Sequence, residues 1–443
     1  MDETLLHDVV AAALKAGADG AEAVGAERQS LSISVRLGEL EEVEREEGRD
    51  LGLRVFVGKK QATVSSSNLS ADATARLVER AVAMARLAPE EPYAGLADLD
   101  QLARGPLPDL ELFDPTEPTA AEMEAQAHAT EEAARGVAGV TNSEGASSTW
   151  SASRWRLVTS TGFSGLHEAT GFSLSAAVIA SDENGMEIGG EGRSMRWRAA
   201  LPSPEAIGAE AGKRAVQRLG ARKIASTTAP VIFENRLASA VVGPLIGAIA
   251  GPAIARGSSF LKDKLGQSVF ADTFELVEDP HLARRLGSAP FDDEGVANRR
   301  RTLIDKGVLT TWLLNSASAR QLGLTTTGHA SRGLAGAPGV STSNLTVTPG
   351  ERDLTGLMAD AGSGVLVTSM FGPSLNGNTG DWSVGVSGFW FEKGEIAYPI
   401  NEITVAGNLL DLWRRVVVGS DLEIRGSANS PSLMFDAVAI AGK

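Results

Sequence analysis

The sequence predicts an α+β fold: a region of helices and antiparallel meanders first, then a mainly β, barrel-like C-terminal domain. Two features carry this. Between residues 14 and 31 the apolar pattern changes from a helical period to strict alternation, and beyond Pro230 short apolar runs recur between turn signals. Gly supplies 49 of the 443 residues, which suits a chain built from many tight turns. At about 150 residues per domain the length allows two or three units.

The first helix lies within Met1 to Ala23. Asp2 or Thr4 caps it, Leu5, Leu6, Val9, Val10, Ala13 and Leu14 form one face, and Gly17 stops it. Leu31, Ile33 and Val35 then alternate with serines, and Leu51, Leu53, Val55 and Val57 alternate after Gly48. Gly58-Lys59-Lys60 turns the chain into Gln61 to Ser66. A second helix spans Ala71 to Leu87, with Ala73, Leu77, Ala81 and Met84 as its stripe. Residues 89–118, rich in Pro, Asp and Leu, read as a connection.

A helix from Thr119 to Arg135 leads into a strand region, Val137 to Ala200. Turn signals at Asn142-Ser143-Glu144-Gly145, Thr161-Gly162 and Asp182-Glu183-Asn184-Gly185 divide it into hairpins. Ser203-Pro204-Glu205 opens a helix that closes at Gly220. A strand at Val231 to Glu234 begins the largest unit. Asp305-Lys306-Gly307 and Glu392-Lys393-Gly394 mark hairpins, and glycine-rich loops occupy Thr325 to Ser343 and Gly372 to Asp381. The expected units are 1–88, 119–220 packing with the first, and 229–443.

Composition excludes several functions. A formal charge of −15 opposes nucleic-acid binding, which needs a basic footprint. Arg299-Arg300-Arg301 flanks a strand, and Arg154-Trp155-Arg156 and Arg196-Trp197-Arg198 read as half-buried strands. With no cysteine there is no disulfide, thiolate metal site or Cys nucleophile, and a reducing compartment fits. The N-terminal stretch lacks the basic and apolar regions of a secretion signal. Leu237 to Ala255 is apolar, but Gly243, Pro244, Gly247, Gly251 and Pro252 favour a buried irregular segment over a membrane span. The expected setting is the cytoplasm.

Of the five histidines, His7, His128, His167, His281 and His329, no two share a helical turn. His167-Glu168 starts like H-E-x-x-H but ends on Gly171, so it reads as an ordinary strand pair. His7 and His128 read as surface residues. Glu278-Asp279-Pro280-His281 and the run Pro290 to Gly295 (Asp292, Asp293, Glu294) gather carboxylates near an imidazole, as either an oxygen-rich cation site or solvated, capping loops. His329 lies in a small-residue loop, Thr325 to Ala330, open to a close-approaching ligand or held as a turn by threonine hydroxyls. No G-x-S-x-G elbow occurs, and Ser363 between its two glycines reads as a turn. Phosphate-cradling and dinucleotide glycine patterns are absent. Asn376, Gly377, Asn378, Gly380 and Asp381, before Trp382, could bind an extended peptide through main-chain hydrogen bonds. Alternatively they form only a turn, one that a side chain at Gly377 would strain. These residues and His329 are the candidate substrate-binding set; no catalytic and no metal-ligating residue is assigned.

Several blocks together resemble the TldD/PmbA family, in its TldE-like branch. They are Arg256 to Leu261, Glu278 to His281, Pro290 to Val296, Leu322 to Ala330, and Asn376 to Ile400. The resemblance implies a cytoplasmic two-chain metallopeptidase acting on flexible or unfolded peptides. It also links the chain with maturation of a peptide antibiotic, antitoxin turnover and modulation of gyrase inhibitors. In the TldD-like subunit an H-E-x-x-x-H helix and a later cysteine hold zinc. The equivalent positions here are Val242, Gly243 and Gly247, and no cysteine exists. The resemblance therefore implies a non-catalytic subunit, without its own cofactor, whose zinc resides on a TldD-like partner. A self-associating peptide-binding protein of the same family, homodimeric in isolation, is the alternative. A hydrolase using Asp292, Asp293 or Glu294 with a recruited cation is the third reading.

Overall fold

The computed structural model describes residues 2–183 and 185–443. Met1 of the first predicted helix and Asn184 of the third predicted turn lie outside them.

The first lobe contains α1 (Glu3–Lys15), β1 (Gly20–Arg36), β2 (Glu39–Val57), β3 (Lys60–Ser66), α2 (Ala71–Leu87), α3 (Ala120–Arg135), β4 (Val140–Thr159), β5 (Ser164–Asp182), β6 (Gly185–Met195) and α4 (Pro204–Val216). Asp2 caps α1 by accepting from Thr4 N. The helix stops at Lys15, as the Gly17 signal predicts, because Gly17 turns the chain with φ +100° and β1 follows at once. Thr119 and Glu122 form a reciprocal capping box on α3. Regular α4 ends at Val216, and turns carry the chain to Gly220 at φ +73°.

The strands form one antiparallel sheet, ordered β3-β2-β1-β4-β5-β6, so the first and middle segments join through β1 and β4. Strand alternation sorts β1 into two faces. Ala21, Ala23, Leu31, Ile33 and Val35 meet the helices. Glu22, Val24, Ala26 and Arg28 point the other way, toward the second lobe.

Three readings need correction. Asn142 to Gly145 is no hairpin turn: β4 runs through it, with register shifts between Ser143 and Gly145 and Gly145 at φ +104°. The same small polar residues serve a β-bulge. Met84 leaves the α2 stripe and is exposed, while Leu77, Val78, Ala81, Val82 and Ala85 are buried. Arg196-Trp197-Arg198 lies beyond the end of β6.

The second lobe contains β7 (Thr227–Phe233), α5 (Asn235–Val242), α6 (Pro244–Ala248), α7 (Gly251–Ala255), β8 (Leu276–Asp279), β9 (Arg301–Asp305), β10 (Val308–Leu309), α8 (Ser316–Leu322), β11 (Ala330–Ser331), β12 (Gly339–Val340) and β13 (Asn344–Val347). It continues with α9 (Leu354–Ala361), β14 (Ser363–Leu375), β15 (Asp381–Glu392), β16 (Glu395–Asn408), α10 (Leu409–Trp413), β17 (Val416–Val418), β18 (Ala428–Asn429) and β19 (Leu433–Ala441). Strands β16-β15-β14-β7-β19 are hydrogen-bonded in that order, and β16 also pairs with β19, which closes a five-stranded barrel. This is the barrel-like domain the sequence predicts. A second sheet, β10-β9-β8-β13-β18, lies beside it. The two predicted Lys-Gly hairpins form, with positive φ at Lys306, Gly307, Lys393 and Gly394. The loop expected from Gly372 shrinks to residues 376–380, because β14 continues to Leu375.

The apolar segment from Leu237 to Ala255 folds as three short helices, divided at Gly243-Pro244 and Ala250. Among the described residues no helix is long and apolar enough to cross a membrane.

Candidate functional site

Two places gather the residues singled out by the sequence, and they are separate. The first is a buried polar seam where the open face of the first sheet meets the second lobe. Glu22 and Arg54 are opposite each other on β1 and β2 and form an ion pair at 3.1 Å, each almost fully buried. Arg332, from the loop after β11, reaches across to pair with the same Glu22 carboxylate. Gly52 on β2 permits this approach, since a Cβ there would sit 2.6 Å from the Leu334 carbonyl oxygen. Phe291 and Val296 pack with Val24 and Leu157 beside the ion pairs.

The acidic run at 292–294 belongs to this seam and is buried rather than solvated. Asp292 Oδ1 accepts from Glu294 N (3.0 Å) and Val296 N (2.8 Å), and its Oδ2 from Ala330 N (3.0 Å). Asp293 accepts from Arg332 N at 2.8 Å, and Glu294 from Ser316 N at 2.8 Å. Burial, followed by the Glu294 charge, holds the Asp292 carboxyl well above its ordinary range. Burial also raises Asp293 and Glu294. These carboxyls are spent on tying three chain segments together, which is a capping role on a larger scale.

His329 joins the same region and is buried. Its Nε2 meets Glu278 Oε2 at 2.6 Å and its Nδ1 meets Thr327 Oγ1 at 2.7 Å. Glu278 also accepts from the Ser343 amide (2.6 Å) and hydroxyl (2.9 Å). Burial alone would raise Glu278, but the bonds and charge from His329 and the Ser343 donors bring it below the ordinary value. Thr326 and Thr327 anchor the turn on the Leu314 backbone. A cavity of about 150 Å³ lies against Glu278, Asp292, Asp293, His329 and Ser343, with Phe291 and Ala289 also in its wall. His281, which the sequence set beside the acidic run, is exposed and bonds Asn298 instead. His167 lies on β5, a strand position as expected, and burial and then the Arg196 charge lower its pKa to about 4.

The second place is the loop 376–380 with Asp381. Asn376, Gly377, Asn378 and Asp381 are exposed, whereas Gly380 is buried. Asn376 Oδ1 accepts from Asn378 N, Thr379 donates to Asp381, and Asn408 donates to Asp381 Oδ1 at 3.1 Å. The loop sits on the chain just after α7: Phe260 N donates to the Gly377 carbonyl at 3.0 Å. The strained glycine is Gly380, at φ +82° and against the Phe260 ring, not Gly377 as expected. A Cβ at Gly377 would meet only the Ser258 oxygen, at 4.0 Å. None of these loop residues lines the cavity at His329, so the predicted set divides in two.

At the positions set equivalent to zinc ligands, Val242 is buried at the end of α5, Gly243 is the junction before Pro244, and Gly247 is exposed on α6. No group of three or more His, Asp or Glu among the described residues is placed to hold a metal ion. The sequence reading missed Glu22, Arg54 and Arg332. Glu22 and Arg54 did carry a signal, as single charges inside otherwise apolar strand runs. Arg332 carried none.

The overall fold, a helix-backed antiparallel sheet joined to a five-stranded barrel, is shared with solved structures along the whole chain. This chain belongs to the PmbA/TldD family: models of the PmbA/TldA metallopeptidase domain 1, central domain and C-terminal domain match residues 21–85, 113–219 and 226–442. It is 38% identical to the metalloprotease PmbA of Escherichia coli O157:H7, over 99% of this chain and 96% of that protein. It is 37% identical to the Haemophilus influenzae PmbA homologue, over 97% and 94%. The crystal structure of a proposed modulator of DNA gyrase from Bacteroides thetaiotaomicron superposes with a TM-score of 0.92 at 28% identity, covering 100% and 99% of the two chains. TldE from Thermococcus kodakarensis shares the fold, with a TM-score of 0.88 at 19% identity over 99% and 100%.

Proposed function

We propose that this chain is the non-catalytic, TldE-like subunit of a cytoplasmic two-chain zinc peptidase that acts on flexible peptides, with zinc held by a TldD-like partner. The observation that carries this reading is the segment α5–α6. A zinc-binding helix needs imidazole or carboxylate donors one turn apart on one face. Val242, Gly243 and Gly247 offer no side-chain lone pair, and Pro244 interrupts the helix between them. The chain contains no cysteine to supply a further ligand. These residues do not fit a zinc ion. Likeness to metalloproteases along the full chain, combined with this loss, favours a supporting role over independent catalysis.

The loop from Asn376 to Asp381 lies beside residues 258–260, directly after those helices, and its exposed amides suit main-chain recognition of a peptide. In this reading it faces the chamber shared with the partner.

The test combines three measurements. The purified chain should hold no stoichiometric zinc by elemental analysis and should not cleave an unstructured peptide. Adding a TldD-like partner should give chelator-sensitive cleavage. Replacing Gly377 and Asn378 by bulky residues should then lower turnover while the complex still assembles on gel filtration. Zinc-dependent cleavage by the isolated chain would overturn the proposal.

A further inference from the structure

A cavity of about 350 Å³ opens on the bare face of the first sheet, next to the seam. Its floor is a row across three strands: Ala26 on β1 is opposite Trp155 on β4, which is opposite His167 on β5. Ala289, Phe291, Asp293, Arg332 and Leu334 of the second lobe close the other side. Three of these lining residues carry a buried nitrogen with no hydrogen-bond partner among the described residues: Trp155 Nε1, His167 Nε2 and Arg332 Nη2. The Arg332 side chain is fully buried, and its pairing with Glu22 runs through Nη1, leaving Nη2 over.

Buried polar groups left unpaired are destabilising, so three around one cavity, two of them obligate donors, call for a partner inside it. Trp155 Nε1 and Arg332 Nη2 can only donate, and a guanidinium hydrogen bond is strongest to an anionic oxygen. Ala26, Ala289, Phe291 and Leu334 supply an apolar part of the wall, and Glu27, Arg28, Ser153, Arg154 and Asp293 supply polar and charged parts. Convergent polar groups beside an apolar surface, in roughly 300 Å³ or more, describe a small-ligand pocket.

We propose that this cavity binds a carboxylate that carries a small apolar group, either a free acid or the C-terminal end of a peptide. The carboxylate oxygens take the Trp155 and Arg332 N–H groups, with His167 alongside, and the apolar group lies against Phe291 and Leu334. The site belongs to this chain alone and is independent of the proposed subunit role.

Calorimetric titration of the full chain at constant ionic strength tests it, using N-acetyl-leucine, the tripeptide Ala-Ala-Leu, and the amide of each. Saturable binding of one or both acids, with the matching amide at least about tenfold weaker, is the expected result. If only the tripeptide acid binds, the ligand is a chain end; if only N-acetyl-leucine binds, it is a free acid. Trp155→Phe keeps the ring and removes one donor, and should weaken the acid by about tenfold without changing the fold. If that variant fails to fold, the acid and amide comparison on the native chain decides. Equal binding of acid and amide, or no binding of either acid at millimolar concentration, overturns the proposal.

Discussion

The seam and the loop are both rich in polar side chains, used in opposite ways. In the loop, Asn376, Thr379 and Asp381 bond mostly to neighbours two residues away and stay in water. In the seam, Glu22 is tied to Arg332, 310 residues later, and Asp292 to Ala330, 38 residues later, all out of water. Polar residues therefore hold the lobes together in one place and remain available to a partner in the other. What separates the two is burial and the distance along the chain to the hydrogen-bonding partner.

Breaking the seam should have the largest effect. Glu22→Leu leaves Arg54 and Arg332 buried without their shared counter-charge, and should cost about 3–5 kcal/mol, read as a lower denaturant midpoint. A change below 1 kcal/mol would mean that apolar packing alone joins the lobes.

Next comes a pH effect at His167. Its folded pKa of about 4 lies below the ordinary 6.5. Above pH 6.5 the ring is neutral in both states. As the pH falls through 6.5 the unfolded chain takes up a proton that the folded chain refuses, so stability declines until about pH 4, where both are protonated. The full loss is about 3 kcal/mol. His167→Gln should remove that slope between pH 6.5 and 4 in urea titrations; an unchanged slope would assign it to other groups.

Asp292→Asn is milder. It can still accept from Glu294 and Val296 but turns an amide N–H₂ toward the Ala330 N–H, for a loss of about 1–3 kcal/mol in thermal or chemical unfolding. The loop should respond least, and unevenly. Gly377→Ala should stay within about 0.5 kcal/mol of the parent. Gly380→Ala should cost about 1–2 kcal/mol, because its φ is left-handed. Equal effects at the two glycines would contradict the loop geometry.

Local signals were readable in the sequence. Helix caps at Asp2, one of the two residues offered, and at Ser203, together with the Lys-Gly hairpins, depend on neighbours a few residues away, and these formed. Bulge and turn share a vocabulary, which is why Asn142 to Gly145 misled. The division of the candidate set was not readable, because His329 and Asn376 are similar in kind and only the tertiary fold sends one to Glu278 and the other to the surface. The Thr161-Gly162 turn already makes Trp155 and His167 cross-strand neighbours, but residue spacing could not bring Arg332 to them.

The barrel closes in a way that bears on how the chain is made. Strand β7 sits between β14 and β19, so its two neighbours emerge from the ribosome more than a hundred residues after it does. Until β19 arrives, both flanks of the β7–β14–β15–β16 array are exposed edges. Such non-local pairing folds slowly, and unpaired edges invite association with other nascent chains. During synthesis the first lobe can already assemble as a sheet backed by helices, whereas the second must wait for its last strand. A stalled or shortened message would therefore release an open, adhesive half-barrel.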